Sequence, residues 1–313
     1  MKIFILGAGA VGSYFGAALS LGGHEVVCAV RDARRTNIES DGIRLTGPRG
    51  NFHARNVLAV DNPRDVESVD VALSCVKLYD AQRAAEQWSD VLSRATAVIS
   101  LQNGIDGAER TLAGASKCKA FGGLAFVSGK MESPGVVQYM SDMSSLVFGG
   151  PGSEVLRPFA DALNEISNPL AVRAELVADI KLAQWSKFLA LATNAALTCL
   201  ARANAGVVYH DPDLLRLASQ SIREIYDVGL AEGVRLEEGA KDAALKTLQA
   251  LPTGMVASMH HDLTSGRPLE LDGLSGLVCR LGKKHGIPTP FHDFAYACLK
   301  PHLSGASAHA ETK

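Results

Sequence analysis

MKIFILGAGAVGSYFGAALSLGGHEVVCAVR, residues 1–31, reads as strand, tight glycine turn, helix and second strand, with a basic residue where the second strand ends. Lys2–Leu6 is an apolar run of the length of a buried parallel strand. Val11–Leu21 offers small and apolar residues suited to a helix packed on a sheet, and Gly22-Gly23 ends it. Between them, Gly7-Ala8-Gly9-Ala10-Val11-Gly12 has the spacing of a dinucleotide-binding turn. Gly7 makes the turn, Gly9 lets backbone approach a pyrophosphate, and Gly12 lets the helix sit close to the strand. The helix start then supplies N–H groups and partial positive charge for phosphates. A glycine motif alone is weak evidence in a chain with 30 glycines. The strand before it and the helix and strand after it supply the required context.

The end of the second strand bears on the choice of coenzyme. Sites for NAD place an acidic residue there to hold the ribose hydroxyls. Here Arg31 stands in that place, followed by Asp32, Arg34 and Arg35. A guanidinium favours a 2′-phosphate through charge-assisted hydrogen bonds, so NADP (NADPH) is expected; the competing reading leaves Arg31 in solvent.

Composition narrows the class. The chain has 313 residues, 47% hydrophobic and 20% charged, which suggests two domains of ordinary globular make-up. A net charge of −2 gives no general attraction to nucleic acid or anionic lipid, and no nucleic-acid module is visible. The six cysteines are scattered without a CxxC pair, as expected of buried thiols in a reducing cytoplasm. The first apolar run is strand-length and broken by glycines, unlike a secretory signal. Phe188–Ala201, an uncharged and largely apolar stretch, is shorter than the roughly 20 residues of a membrane span.

Beyond residue 31 the pattern alternates. Gly42–Leu45 and Phe52–Arg55 flank a Gly-Pro-Arg-Gly-Asn turn and read as a hairpin inserted in the sheet. Val69–Val76 and Ala97–Leu101 read as buried strands, Asp80–Val91 as a helix, Ala120–Leu124 as a further strand, and a helix capped by Asp106 lies between the last two strands. Lys77 and Asn103 fall just past strand ends, where ligands of doubly wound sheets sit, although either could simply be solvated. Near Val177 the strand signal stops. Asp179–Ala203, Asp211–Glu232, Leu236–Leu248, Thr253–Ser265, Leu269–His285 and Asp293–His302 read as helices, with Ser304–Lys313 frayed. The expected architecture is α/β: a Rossmann-type doubly wound domain over 1–177, then an all-α domain over 178–313.

The helix from Asp179 carries the most unusual residue. Lys187 lies in an apolar stretch with no further charge until Arg202, and Leu191, Asn194 and Thr198 share its face. A buried ammonium is costly, so either it reaches solvent or a site requires it. A second cluster comprises Ser258, His260, His261 and Asp262, then Glu270 and Asp272. Adjacent histidines point apart on a helix, so no metal site is expected. The absence of a Gly-x-Ser-x-Gly elbow counts against an α/β-hydrolase.

Taken together, these motifs resemble the ketopantoate reductases (2-dehydropantoate 2-reductases) over nearly the whole chain. The features that carry the likeness are Gly7-x-Gly9-x-x-Gly12 with Arg31, Lys77, Leu101-Gln102-Asn103-Gly104 and Pro134-Gly135-Val136-Val137. In the second half they are Trp185-x-Lys187-Phe188, Leu197-Thr198, Ser258-Met259-x-x-Asp262, Arg267-Pro268-x-Glu270-x-Asp272 and Gly286-Ile287-Pro288-Thr289-Pro290. The resemblance implies NADPH-dependent reduction of a 2-keto acid at C2, giving pantoate for pantothenate biosynthesis. It implies Lys187 as catalytic general acid and Glu270 as its acidic partner. Asn103, Asn194 and Ser258 would touch substrate together with those two, in the cleft between the domains. Gly7, Ala8, Gly9, Ala10, Val11, Gly12, Arg31, Lys77 and Asn103 would hold the cofactor. The implied partner is a small 2-keto acid, with no nucleic acid and no membrane; a homodimer is compatible with it.

One departure concerns the substrate. Better-known members carry asparagines one and two turns after the lysine, where this chain has Leu191 and Ala195, with Asn194 displaced by one and Asn204 only a loose match to a later one. Losing an amide there makes the pocket more apolar, which preserves the reaction type better than the substrate. Two rivals remain: another hydroxyacid or opine-type dehydrogenase, and a non-catalytic NADP-binding redox sensor. The sensor has no use for Lys187.

Overall fold

The computed structural model describes residues 1–31 and 33–306; Asp32, one of the residues flanking Arg31, and Ser307–Lys313, most of the tail expected to fray, lie outside the described residues. The strands are β1 (Lys2–Leu6), β2 (Glu25–Ala29), β3 (Ile43–Thr46), β4 (Phe52–Ala54), β5 (Val57–Val60) and β6 (Val71–Ser74), then β7 (Ala97–Ser100), β8 (Ala120–Phe126), β9 (Gly129–Ser133), β10 (Val136–Tyr139), β11 (Ser145–Gly149) and β12 (Arg173–Val177). The chain divides into two compact units, Met1–Ile180 and Lys181–Lys313.

In the first unit an eight-stranded sheet has the order β12-β11-β8-β7-β6-β1-β2-β5. From β5 to β8 all neighbours are parallel, while β11 runs antiparallel to β8 and parallel to β12. The middle strands are buried on both faces, which is why they read as continuous apolar runs rather than alternating ones. The chain leaves β1 toward β2 and β5, then returns to β6 on the other side. That makes the β1–β6 boundary the switch point of the sheet.

The hairpin expected within this sheet lies elsewhere. β3 and β4 do pair antiparallel, but they form a second sheet, β4-β3-β10-β9, with the β9–β10 hairpin. The small sheet closes over the Ala10–Leu21 helix: Tyr14 packs edge-on against Tyr139 at 5.8 Å, and both are fully buried. The Arg49 guanidinium stacks over both rings, bonds the Tyr14 hydroxyl, and reaches the Pro169 carbonyl at 3.2 Å. Local alternation predicts a hairpin but not which sheet receives it; these long-range contacts decide that. β5, β12 and the Arg157–Asn164 helix are additions the sequence pattern did not reveal.

The second unit is helical: Ile180–Ala201, Ala205–Val208, Pro212–Ala231, Ala240–Gln249, Ser258–Thr264, Ser275–His285 and Pro290–Leu299. Asp211 caps the third of these by accepting the N–H groups of Asp213 and Leu214, both at 2.9 Å. Gly286 ends the sixth at φ +69°, a left-handed position. Several boundaries differ from the periodicity. Asp80–Val91 breaks at Trp88 into Ala81–Gln87 and Ser89–Arg94. Thr253–Ser265 shortens to Ser258–Thr264, because the Thr253 and Met255 carbonyls accept the N–H groups of Gly206 and Ala205 instead. Pro290, in the first turn, starts the last helix before Asp293. At the end of the described chain, Ala306 N–H bonds the Gly266 carbonyl at 2.9 Å, so the start of the expected tail is held.

Candidate active site

Within the first unit, the sequence-selected residues converge on the carboxyl ends of four adjacent strands. Leu6 pairs in register with Ala29 of β2 and Ser74 of β6, and Ser74 with Ser100 of β7. Gly7 lies one residue beyond this line and Arg31 two beyond it. Lys77 and Asn103 each lie three beyond, on neighbouring strands.

Two of the three glycines are sterically required. Gly7 has φ +98°, and a side chain there would stand 2.6 Å from the Val76 Cγ1 atom. At Gly12 a Cβ would lie 2.9 Å from the Ile5 side chain, so only glycine lets the helix close on β1. At Gly9 the added atom would meet nothing within 4 Å, leaving open space at the start of a 12-residue helix. Gly9 makes no side-chain cap and the first turn has no acidic residue, so Ala10 and Val11 begin the helix with their N–H ends available. Ala8 is buried; Gly9, Ala10 and Val11 are half-buried. A pyrophosphate fits this place by shape and by charge.

Arg31 is exposed, and no carboxylate among the described residues pairs with it. Arg35, by contrast, is taken by Asp61 at 2.6 Å and Glu39 at 2.8 Å. Arg31 and Arg34 are both exposed and carry no ion pair among the described residues. Lys77 and Asn103 are half-buried in their loops. Asp106, expected as a helix cap, does not cap; its carboxylate bonds Arg110 at 2.9 Å.

In the second unit, Lys187 and Asn194 project from one face of the Ile180–Ala201 helix, and Leu191 between them is half-buried. Loss of water around the Lys187 amine brings its pKa down to about 8. The Asn194 side-chain oxygen accepts from the Tyr209 hydroxyl at 2.9 Å, leaving its amide N–H₂ as the end available to a ligand. Thr198 on this face is buried and donates back to the Asn194 carbonyl. Glu270 is 5% exposed, just before a 3₁₀ turn at Leu271–Gly273, and Ser258 is exposed at the first residue of its helix. Asn204 caps the Ala205–Val208 helix by accepting the Val207 N–H at 3.2 Å, a structural duty. Asp262 pairs with Arg267 at 2.8 Å.

The sequence reading passed over three polar side chains of the first unit. Ser74, Ser100 and Gln102 are all buried; Gln102 donates to the Ser74 hydroxyl at 2.8 Å and accepts from Ser100. The signal available was a serine ending each of two otherwise apolar strands. Tyr209, which orients Asn194, had no such signal.

The strand order, the glycine turn and the bare helix start define a dinucleotide-binding α/β unit followed by a helical unit. The family model for ketopantoate reductase PanE/ApbA matches residues 3–152, and that for its C-terminal domain matches 179–302. The chain thus belongs to the ketopantoate reductase family of oxidoreductases. It is 28% identical over 300 residues to the 2-dehydropantoate 2-reductase of Caulobacter vibrioides, covering 95% of this chain and 98% of that one. Among solved structures, a PanE/ApbA family ketopantoate reductase from Ralstonia eutropha JMP134 superposes with a TM-score of 0.87 at 28% identity, over 97% of this chain and 98% of the other. A D-mandelate dehydrogenase solved with NADH and anilino(oxo)acetate shares the fold at TM-score 0.85 and 22% identity, covering 97% and 98%.

Proposed function

We propose that this protein is a cytoplasmic, NADPH-dependent reductase of 2-dehydropantoate or a closely related 2-keto acid, with Lys187 as general acid. The observation that carries the reading is the half-buried Lys187, whose pKa near 8 leaves it protonated at neutral pH yet acidic enough to release its proton. A bound NADPH supplies the hydride that a keto carbon accepts. Negative charge then grows on the keto oxygen, and the Lys187 ammonium stabilises it and donates the proton. Glu270 is the carboxylate assigned to keep that ammonium charged. Asn103, Ser258 and the free N–H₂ of Asn194 orient the acid. Gly7–Gly12 would seat the pyrophosphate, Arg31 the 2′-phosphate, and Lys77 the cofactor from the next strand end.

Leu191, one turn beyond Lys187, favours a substrate whose tail is less polar than that of ketopantoate. The purified protein given NADPH and a panel of 2-keto acids with polar and apolar tails tests both statements. Turnover of at least one acid is expected, with the apolar tails preferred. Tight NADPH binding with no turnover of any acid overturns the reductase and favours the redox sensor.

A further inference from the structure

Ser74 ends β6 and Ser100 ends β7, and the two are register partners. Gln102 spans them, with its amide N–H₂ on Ser74 and its amide oxygen on Ser100. Exposures are 0%, 2% and 7% for Ser74, Ser100 and Gln102, so three polar side chains sit in the interior where apolar residues would pack at no desolvation cost. Each finds a partner, so the set is satisfied internally and has one geometry rather than many. The helix Gly107–Gly114 presses on it from outside: a side chain at Gly107 would stand 2.8 Å from the Gln102 amide oxygen. The bridge therefore holds the second residue of one strand-end loop against the strand that launches the other. Asn103 follows Gln102 directly, and Lys77 lies the same three residues beyond Ser74.

We infer that Gln102 is a positioning residue of the active site: clamped between Ser74 and Ser100, it fixes where Asn103 is presented to the ligand. This rests on the reductase reading above for the role of Asn103, while the clamp itself stands on the hydrogen bonds. A rotation of the Gln102 backbone would carry Asn103 with it, and misplacement by about 1 Å is enough to cost a large factor in rate. An apolar residue at 102 would fill the space but leave the loop free to choose its path.

Gln102→Met, of similar length but without the amide, tests this, with Ser74→Ala as the milder variant should Gln102→Met not fold. Amide hydrogen exchange of the folded variant is expected to rise in residues 102–106 while that of 7–12 is unchanged, since the glycine turn packs on Val76 and Ile5 instead. For reduction of the favoured 2-keto acid, kcat/KM is expected to fall about 10- to 100-fold through kcat, with NADPH affinity changed less than about threefold. In an Asn103→Ala background the same substitution should lower kcat/KM less than about twofold, because the residue it acts through is gone. Equal losses in both backgrounds, or unchanged exchange at 102–106, overturn the positioning role. Loosened exchange at 102–106 in a protein whose wild type reduces no 2-keto acid overturns the reductase reading instead and leaves the clamp standing.

Discussion

Of the titratable side chains that burial shifts in the helical unit, His292 and Lys187 differ in what surrounds them. His292 is fully buried, with one ring nitrogen 3.1 Å from the Ser221 hydroxyl and the other 3.1 Å from Ser275. Ser221 in turn bonds Thr193 at 2.7 Å, so the ring joins four elements. Glu224 accepts the backbone N–H groups of Phe291 and His292, closing the start of the last helix. Burial pushes the His292 pKa down to about 4, so the ring is neutral and holds the helices together. Lys187 is also shifted by burial, to about 8, but it lies on a face that solvent still reaches. A perturbed pKa thus marks a reactive group only where a ligand can arrive. The first group serves the fold; the second is the one proposed to serve the chemistry.

Substitution separates them. Lys187→Ala should lower turnover by about 10²–10⁴-fold with NADPH affinity nearly intact, measured by steady-state rates and fluorescence titration. Unchanged turnover would remove the proposed proton donor. His292→Leu should do the reverse: the folded fraction keeps its turnover, while stability drops by about 2–4 kcal/mol because Ser221 and Ser275 lose their shared partner.

Acid distinguishes the two groups as well. The native His292 pKa lies below the unfolded value, so from about pH 6.5 downward the unfolded chain takes a proton that the native ring refuses. Stability should fall by about 3 kcal/mol between pH 6.5 and pH 4 and then level off. Denaturant unfolding followed through Trp185, with Trp88→Phe removing the other tryptophan, measures it. A flat profile contradicts a buried neutral ring.

At the alkaline end the order inverts. As the proposed general acid Lys187 must be protonated, so kcat for reduction should decline above pH 8 with an apparent pKa of about 8, a limb absent in Lys187→Ala. The smallest effect belongs to the sheet unit. Arg31→Ala should weaken NADPH binding about 10-fold or more and NADH hardly at all. Equal losses would count against a phosphate contact.

How far the chain could be read follows from the range of the interactions involved. Residues 1–31 form contiguous structure, so local spacing separates the duties of Gly7, Gly9 and Gly12, and those of Gly7 and Gly12 have a steric counterpart in Val76 and Ile5. The helical half announced itself by the same logic, with Asp211 and Gly286 at helix ends. Boundaries set by distant partners were less accessible. The β3–β4 hairpin was legible as a hairpin, but its sheet depends on Tyr139 and Arg49, and the shortened Ser258–Thr264 helix depends on carbonyls claimed by Ala205 and Gly206.

The candidate site divides the same way. Lys77, Asn103, Lys187 and Glu270 were marked by position and residue type. Gln102, Ser74 and Tyr209 act through side chains that meet only when separate elements pack. The sequence by itself determined the glycine turn, the two-part organisation and the family, because those are written in local spacing. Tertiary structure alone decided the pKa of Lys187, the neutrality of His292 and the Ser74–Gln102–Ser100 bridge. Desolvation and cross-strand hydrogen bonds belong to the folded surroundings, and residues far apart in the chain create them.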